Sequence, residues 1–173
     1  MSVETLRQQI REIPDFPKPG ILFYDITTLL KDAGAFKESI DLLTAPYRET
    51  HVDVVVGMES RGFIFSAPMA YQLDAGFVPV RKLGKLPAET VSVEYALEYG
   101  TNTLEVHKDA IAPGQKVLIV DDLLATAGTV LGTIELVAQL KAEVVGLAFL
   151  VELLFLKGRD RLDGHEIHSV IQY

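Results

Sequence analysis

An apolar run that ends in paired carboxylates and a loop without bulk constrains this chain more than any other stretch. It reads Val117-Leu118-Ile119-Val120-Asp121-Asp122-Leu123-Leu124-Ala125-Thr126-Ala127-Gly128-Thr129. A strand buried in a parallel sheet is a continuous apolar run, and ligands of open α/β sheets bind beyond the carboxyl ends of such strands. Asp121 and Asp122 occupy that end. From Ala125 to Thr129 the side chains are small, so successive backbone N–H groups can close around a phosphate. The Thr126 and Thr129 hydroxyls add donors, and a helix N-terminus follows. The combination fits a phosphosugar. An Asp-Asp pair before Thr and Gly also suits a plain helix N-cap, which accounts for one Asp and one Thr but leaves the rest of the run unexplained.

The remaining chain alternates in the way a parallel sheet requires. Val3 to Ile13 carries Leu6, Ile10 and Ile13 at helical spacing and predicts a short helix stopped by Pro14-Asp15-Phe16-Pro17-Lys18-Pro19-Gly20. A weak strand is expected over Leu22 to Ile26, an amphipathic helix over Gly34 to Thr50, a buried strand over Val52 to Gly57, a helix over Phe63 to Gln72 and a strand over Gly76 to Val80. Two alternating runs, Val91 to Leu97 and Thr101 to Val106, bracket Glu98-Tyr99-Gly100 and predict a β-hairpin or flap leaving the main sheet as a lid. After the Ala112-Pro113-Gly114-Gln115 turn come the lead strand, a helix from about Gly128 to Leu140, a strand over Val144 to Leu153, a short helix or turn over Leu156 to Leu162 and an edge strand over His168 to Gln172.

Length and charge narrow the function. The 173 residues suit one domain with a real core. The longest apolar run, Val144 to Val151, is far below the roughly 20 residues of a membrane span. The N-terminal residues include Glu4 and Arg7 and no apolar signal-like region, which points to the cytoplasm. With no cysteine, disulfides, thiolate metal sites and cysteine nucleophiles are excluded. Twenty-four acidic against 16 basic residues give a formal charge of −8, which argues against nucleic acid as a main partner. An acidic protein that binds an anion must gather its cations locally, and Arg81-Lys82-Leu83-Gly84-Lys85 does so.

Other residues supply the remaining chemistry. Val54-Val55-Val56-Gly57-Met58-Glu59-Ser60-Arg61-Gly62 is a second strand ending in a tight turn, whose backbone and Arg61 guanidinium suit phosphate oxygens, pyrophosphate above all. Arg81, Lys82 and Lys85 lie in a segment too rich in Gly and Pro for a solvated helix face. Glu98 at the hairpin tip is the natural acid or base, since a closing lid desolvates a carboxylate and raises its pKa. None of His51, His107, His165 and His168 has a partner at metal or triad spacing.

The lead run resembles the thirteen-residue binding motif for 5-phosphoribosyl-1-pyrophosphate (PRPP) of the type I phosphoribosyltransferases. Taken with Pro14 to Gly20, Ser60-Arg61-Gly62-Phe63, Arg81 to Pro87 and Leu97-Glu98-Tyr99-Gly100, nearly the whole chain is similar to the adenine phosphoribosyltransferase family. The resemblance implies an α/β protein of the type I phosphoribosyltransferase fold: a central, mainly parallel sheet flanked by helices, one domain over 1–173, an N-terminal hood over about 1–33 and a flexible β-hairpin flap over about 82–107. It implies Mg²⁺-dependent formation of AMP and pyrophosphate from adenine and PRPP, as a purine-salvage step in a cytoplasmic homodimer. Ala125, Thr126, Ala127, Gly128 and Thr129 would then hold the 5-phosphate, and Asp121 and Asp122 would face the ribose. Glu59, Ser60, Arg61, Arg81, Lys82 and Lys85 would take the pyrophosphate, Arg81 by reaching the neighbouring subunit's site. Ile21, Leu22, Phe23 and Tyr24 would bind adenine, and Glu98 would move a proton at the purine imidazole. Mg²⁺ would be held mainly through PRPP and water, without a dedicated protein ligand set.

Two positions depart from the family pattern. Ala127 stands where glycine is common, and its methyl removes backbone freedom if the loop needs φ > 0. Tyr24 stands where several members carry arginine near the purine. The PRPP motif alone does not choose the base, so a hypoxanthine, guanine or xanthine transferase stays open, as does a noncatalytic PRPP-sensing regulator. The acidic charge and the lack of an appended helix-turn-helix weigh against the regulator.

Overall fold

A computed structural model describes residues 2–96 and 101–173 and divides the chain into two compact units, Met1–Leu42 and Leu43–Tyr173. In the first unit, helix α1 (Val3–Gln8) opens on Ser2, whose hydroxyl accepts from the Thr5 N–H at 3.2 Å. Strand β1 (Arg11–Ile13) pairs antiparallel with β2 (Phe23–Asp25), Arg11 opposite Asp25. The helix expected through Ile13 therefore stops at Gln8. Residues 11–13 exchange helical bonds for a ladder with β2, and the Arg11 Nη2 to Asp25 Oδ2 contact of 2.6 Å fixes its register. Asp25 then starts helix α2 (Thr27–Leu30), its Oδ1 accepting from the Thr27 N–H and hydroxyl at 2.9 and 2.7 Å.

Helix α3 (Ala33–Thr44) begins where Asp32 Oδ1 accepts from the Ala35 N–H at 2.8 Å. It was expected to run to Thr50, but Pro46 lacks the N–H that would continue it, and the chain tightens into a 3₁₀ turn over Ala45–Tyr47.

The second unit is built on β3 (Val54–Met58), α4 (Gly62–Gln72), β4 (Gly76–Lys82), β5 (Thr90–Ala96), β6 (Thr101–His107), β7 (Lys116–Leu124), α5 (Gly128–Gln139), β8 (Glu143–Glu152) and β9 (Ile167–Gln172). The strands form one sheet in the order β5-β6-β4-β3-β7-β8-β9. Neighbours from β4 to β9 are parallel, and β9 lies at the edge as its sequence suggested. Val54, Val56 and Met58 of β3, Val117 and Ile119 of β7 and Leu147 and Phe149 of β8 share one core with Leu136 of α5. Each such side chain, fully buried, contributes roughly 1.5–3 kcal/mol.

The β5–β6 hairpin does not leave the main sheet at its base. Antiparallel pairs Arg81 with Glu105 and Lys82 with Leu104 join β6 to β4, and Val93 of β5 packs by Gly132 of α5. The tip, with Glu98, lies outside the described residues. No helix among the described residues is long and apolar enough to cross a membrane.

Hydrogen bonds from the Thr27 hydroxyl and N–H, helped by Arg11, lower the Asp25 carboxyl to about 2. A depressed carboxylate contributes stability above its unfolded value near 3.8, which is lost as pH falls through about 2. Asp25→Ala is expected to cost about 1 kcal/mol at neutral pH. Urea midpoints of both proteins, followed down from neutral pH, should converge only below the ordinary carboxylate range.

Candidate active site

Parallel pairing of Val54 through Gly57 with Val117 through Val120 sets the turn after β3 beside the end of β7. The turn departs at Glu59, whose N–H donates to the Val80 carbonyl at 3.0 Å, and it contains a cis Glu59–Ser60 peptide. It closes into α4 at Gly62. A Cβ there would stand 2.8 Å from Asp121 Oδ1 and 3.1 Å from the Val120 carbonyl, so only glycine lets α4 start this close to β7. Arg61 bridges the two strand ends, its Nε 2.7 Å from Asp122 Oδ2. Together Glu59, Ser60, Arg61, Lys82, Asp121, Asp122, Leu123, Ala125 and Thr129 line one open cavity of about 470 Å³.

The two carboxylates lie inside β7, which runs on to Leu124, and they do different things. Asp122, 5% exposed, engages Arg61. Asp121 turns an oxygen back to accept from the Asp122 N–H at 2.9 Å, on the side facing Gly62. Burial pushes both carboxyls above the usual range. For Asp121 the neighbouring Asp122 charge adds to the rise, whereas Arg61 pulls Asp122 the other way.

Beyond β7 the loop takes the conformation in which a methyl group is costly. Ala127, buried, has φ +67° and caps α5, and its carbonyl accepts from the Leu131 N–H at 2.9 Å. An L-residue in this left-handed region carries about 1–2 kcal/mol of strain. No side chain caps α5 at this residue. A small pocket of about 70 Å³ opens here, lined by Asp121, Leu123, Ala125, Thr126 and Ala127 and by Gly128, Thr129 and Val130 of the first turn of α5. The predicted phosphate loop thus adjoins the larger cavity, with Asp121, Leu123, Ala125 and Thr129 common to both.

The other basic residues divide. Lys82 lines the cavity, while its backbone N–H donates to Glu59 Oε2 at 3.0 Å. Arg81 donates from Nε and Nη2 to the Glu59 carboxylate at 3.2 and 3.4 Å. The Lys82 N–H bond first, and then Arg81, hold the Glu59 carboxyl below its ordinary range. Lys85 is exposed on the following loop and does not line the cavity. Ile21, Leu22, Phe23 and Tyr24 belong to the first unit. Ile21 and Leu22 are exposed, and Phe23 stacks edge-on against Phe16 with ring centroids 5.1 Å apart.

Some side chains that shape these loops escaped the sequence. Glu105, 3% exposed, accepts from the Lys85 and Leu86 N–H groups at 3.0 and 3.1 Å and so folds the basic loop. Glu152, 2% exposed at the end of β8, accepts two bonds from Arg159 at 2.8 and 2.6 Å. The one signal available beforehand was an isolated carboxylate closing a long apolar strand, which cannot stay charged and buried without a partner.

The model of the phosphoribosyl transferase domain family matches residues 27–168. Among curated relatives, an adenine phosphoribosyltransferase of Solibacter usitatus is 61% identical over 168 residues, covering 97% of each chain. The crystal structure of an adenine phosphoribosyltransferase from Thermoanaerobacter pseudethanolicus superposes with TM-score 0.96 at 55% identity, covering 99% of this chain and 100% of that one. Another from Saccharomyces cerevisiae, solved with adenine and an imino-altritol bisphosphate, gives 0.92 at 41% identity, covering 97% of both.

The raised carboxyls at the end of β7 give the site a stability cost. The folded chain holds protons there that the unfolded chain releases, so stability falls as pH rises through the folded values and returns on acidification towards 3.8. Asp121→Asn keeps an acceptor for the Asp122 N–H and removes the ionisable group. Its melting temperature is expected to rise by about 2–4 °C at neutral pH, an increment that calorimetry should find shrinking as the pH is lowered.

Proposed function

The chain belongs to the adenine phosphoribosyltransferase family, and we propose that the cavity between its two strand-end loops holds PRPP during transfer of the phosphoribosyl group to adenine. The enzyme is a transferase of purine salvage, forming AMP and pyrophosphate. The observation that carries the site assignment is that the Glu59–Arg61 turn, Asp121 and Asp122 line one cavity with Ala125 and Thr129, and that the pocket of the Ala125–Thr129 loop adjoins it through those shared residues.

In this assignment the backbone N–H groups of Ala125, Thr126, Ala127, Gly128 and Thr129, with the Thr hydroxyls, hold the 5-phosphate. The pyrophosphate lies along Glu59, Ser60 and Arg61, with Lys82 contributing a cation from the cavity wall, Arg81 reaching the neighbouring subunit's site and Lys85 adding charge from the exposed loop. As the bond from the anomeric carbon to pyrophosphate breaks, negative charge grows on the leaving group and positive charge on the ribose. Arg61 and Lys82 meet the first, and Asp121 and Asp122 hold the sugar and meet the second. The pairing of Arg61 with Asp122 supports this division, because an arriving pyrophosphate competes for a guanidinium already fixed between the two loops. Glu59, whose carboxylate holds Arg81 and the Lys82 N–H, orients cations at this end of the cavity. Ile21, Leu22, Phe23 and Tyr24 serve adenine, and Glu98 moves the proton at the purine imidazole. Residues 1–33 and 82–107 take the hood and flap roles, and the enzyme works as a homodimer in the cytoplasm.

The donor set also fits Mg²⁺. The described residues contain no cluster of three or more His, Cys, Asp or Glu able to hold a metal, yet Asp121 and Asp122 put hard oxygen donors on the cavity. That suits an ion carried mainly by substrate oxygens and water. When bound it neutralises charge on the pyrophosphate leaving group.

Incubating the enzyme with PRPP and each of adenine, hypoxanthine and guanine, with and without Mg²⁺, should give AMP from adenine alone and only with the ion. A product from a 6-oxopurine instead would refute the base assignment, since a site built for one purine edge leaves polar groups unpaired against the other. Glu98→Gln is expected to lower turnover by about 10²-fold or more while PRPP binding is retained. Unchanged turnover would remove Glu98 from the chemistry.

A further inference from the structure

Behind the Ala125–Thr129 loop lies a segment that belongs to no recognised motif and lines neither cavity. It is the 3₁₀ turn Gly158–Arg161, which follows β8. Two contacts press it onto the back of the loop. Gly158 is buried so closely against Ala125 that a Cβ there would run into the Ala125 carbonyl oxygen and stand 3.3 Å from the Ala127 nitrogen. Arg161 Nη1 donates to the Thr126 carbonyl at 2.6 Å. The turn is itself anchored. Arg159 forks onto Glu152 through Nε and Nη2 and also reaches the Ile167 carbonyl and the Ser169 hydroxyl, both at 3.3 Å. Gln172 gives Glu152 a further bond at 3.1 Å. These bonds, Arg159 foremost, hold the Glu152 carboxyl below its ordinary range.

We propose that Gly158 and Arg161, anchored by the Glu152–Arg159 pair, position the phosphate loop and set its affinity for the 5-phosphate of PRPP. The warrant is the geometry of the peptide group. In a trans peptide the N–H points opposite to the C=O, so the guanidinium that fixes the Thr126 oxygen also fixes the direction of the Ala127 N–H. A cationic donor on that oxygen polarises the peptide and strengthens its N–H as a donor. The need is greatest at Ala127, whose left-handed backbone carries strain and whose N–H would swing away if the loop relaxed. Gly158 supplies the second support, since any larger residue would push the Ala125 carbonyl forward. Arg161 is therefore a positioning residue for the reaction, acting through the Thr126–Ala127 peptide.

This inference rests on the assignment of the 5-phosphate to the Ala125–Thr129 loop, and calorimetric titration in Mg²⁺ buffer with ribose 5-phosphate and, separately, inorganic pyrophosphate distinguishes the two. If the wild-type chain takes up no ribose 5-phosphate, that assignment fails and the positioning role falls with it. With wild-type binding in hand, Arg161→Ala is expected to weaken ribose 5-phosphate by roughly tenfold or more, the size of a lost charged hydrogen bond. Pyrophosphate binding should stay within about twofold, because its cradle is the other loop. Arg161→Lys should recover part of the loss. Gly158→Ala, which removes no donor, should weaken ribose 5-phosphate by a similar factor. In turnover, Arg161→Ala should raise the PRPP KM and leave the adenine KM unchanged. Undiminished ribose 5-phosphate binding by Arg161→Ala would overturn the proposal, as would equal loss of both probes. Loss in Arg161→Ala with full binding in Gly158→Ala would also overturn it, by making Arg161 a direct phosphate ligand.

Discussion

Everything at the cavity follows from the parallel pairing of β3 with β7. It sets two strand ends side by side, and each end opens into a loop with a different chemical character. One presents a guanidinium and backbone groups, the other carboxylates and small residues. Gly62 lets the first loop close against Val120 and Asp121 of β7, and the Arg61–Asp122 pair ties the two strand ends. Burial of apolar side chains along the two strands supplies the energy that holds this juxtaposition, so the geometry of the cavity is a product of the core.

The site itself works against stability. Two raised carboxyls sit together at the end of β7, and an L-residue sits in the left-handed region at the start of α5. Such terms persist where surrounding structure over-determines them. Around Ala127 the over-determination is visible: its carbonyl starts α5, its methyl is buried, and the Gly158–Arg161 turn closes the back of the loop. In the assignment proposed above, a phosphosugar sets its anion against the N–H groups and its hydroxyls beside the carboxylates that these terms hold in place. A site that is costly when empty is one that binds with its groups already placed.

How much of this was legible in the sequence depended on how local the signal was. The strands β3, β7 and β8 and the helices α4 and α5 could be read because buried parallel strands are apolar throughout and their loops have distinctive composition. The requirement for φ > 0 at Ala127 was anticipated as a condition, from a glycine common in the family, and the backbone meets it. Where the signal was not local, expectation failed. Helix α1 ended early because Arg11 to Ile13 found partners at Phe23 to Asp25, a tertiary preference that helical spacing cannot reveal. The hairpin's root in the main sheet depends on pairing β6 with the end of β4. Gly158 and Arg161 carried no motif at all; what they touch, the Ala125 and Thr126 carbonyls, lies far back in the chain.

A crystal structure of the chain with PRPP and Mg²⁺ would show whether the two strand-end loops divide one substrate between them. The 5-phosphate is expected against the N–H groups of residues 125–129, the ribose hydroxyls beside Asp121 and Asp122, and the pyrophosphate along Ser60 and Arg61. PRPP bound with its pyrophosphate in the Ala125–Thr129 loop, or bound away from this cavity altogether, would contradict that division.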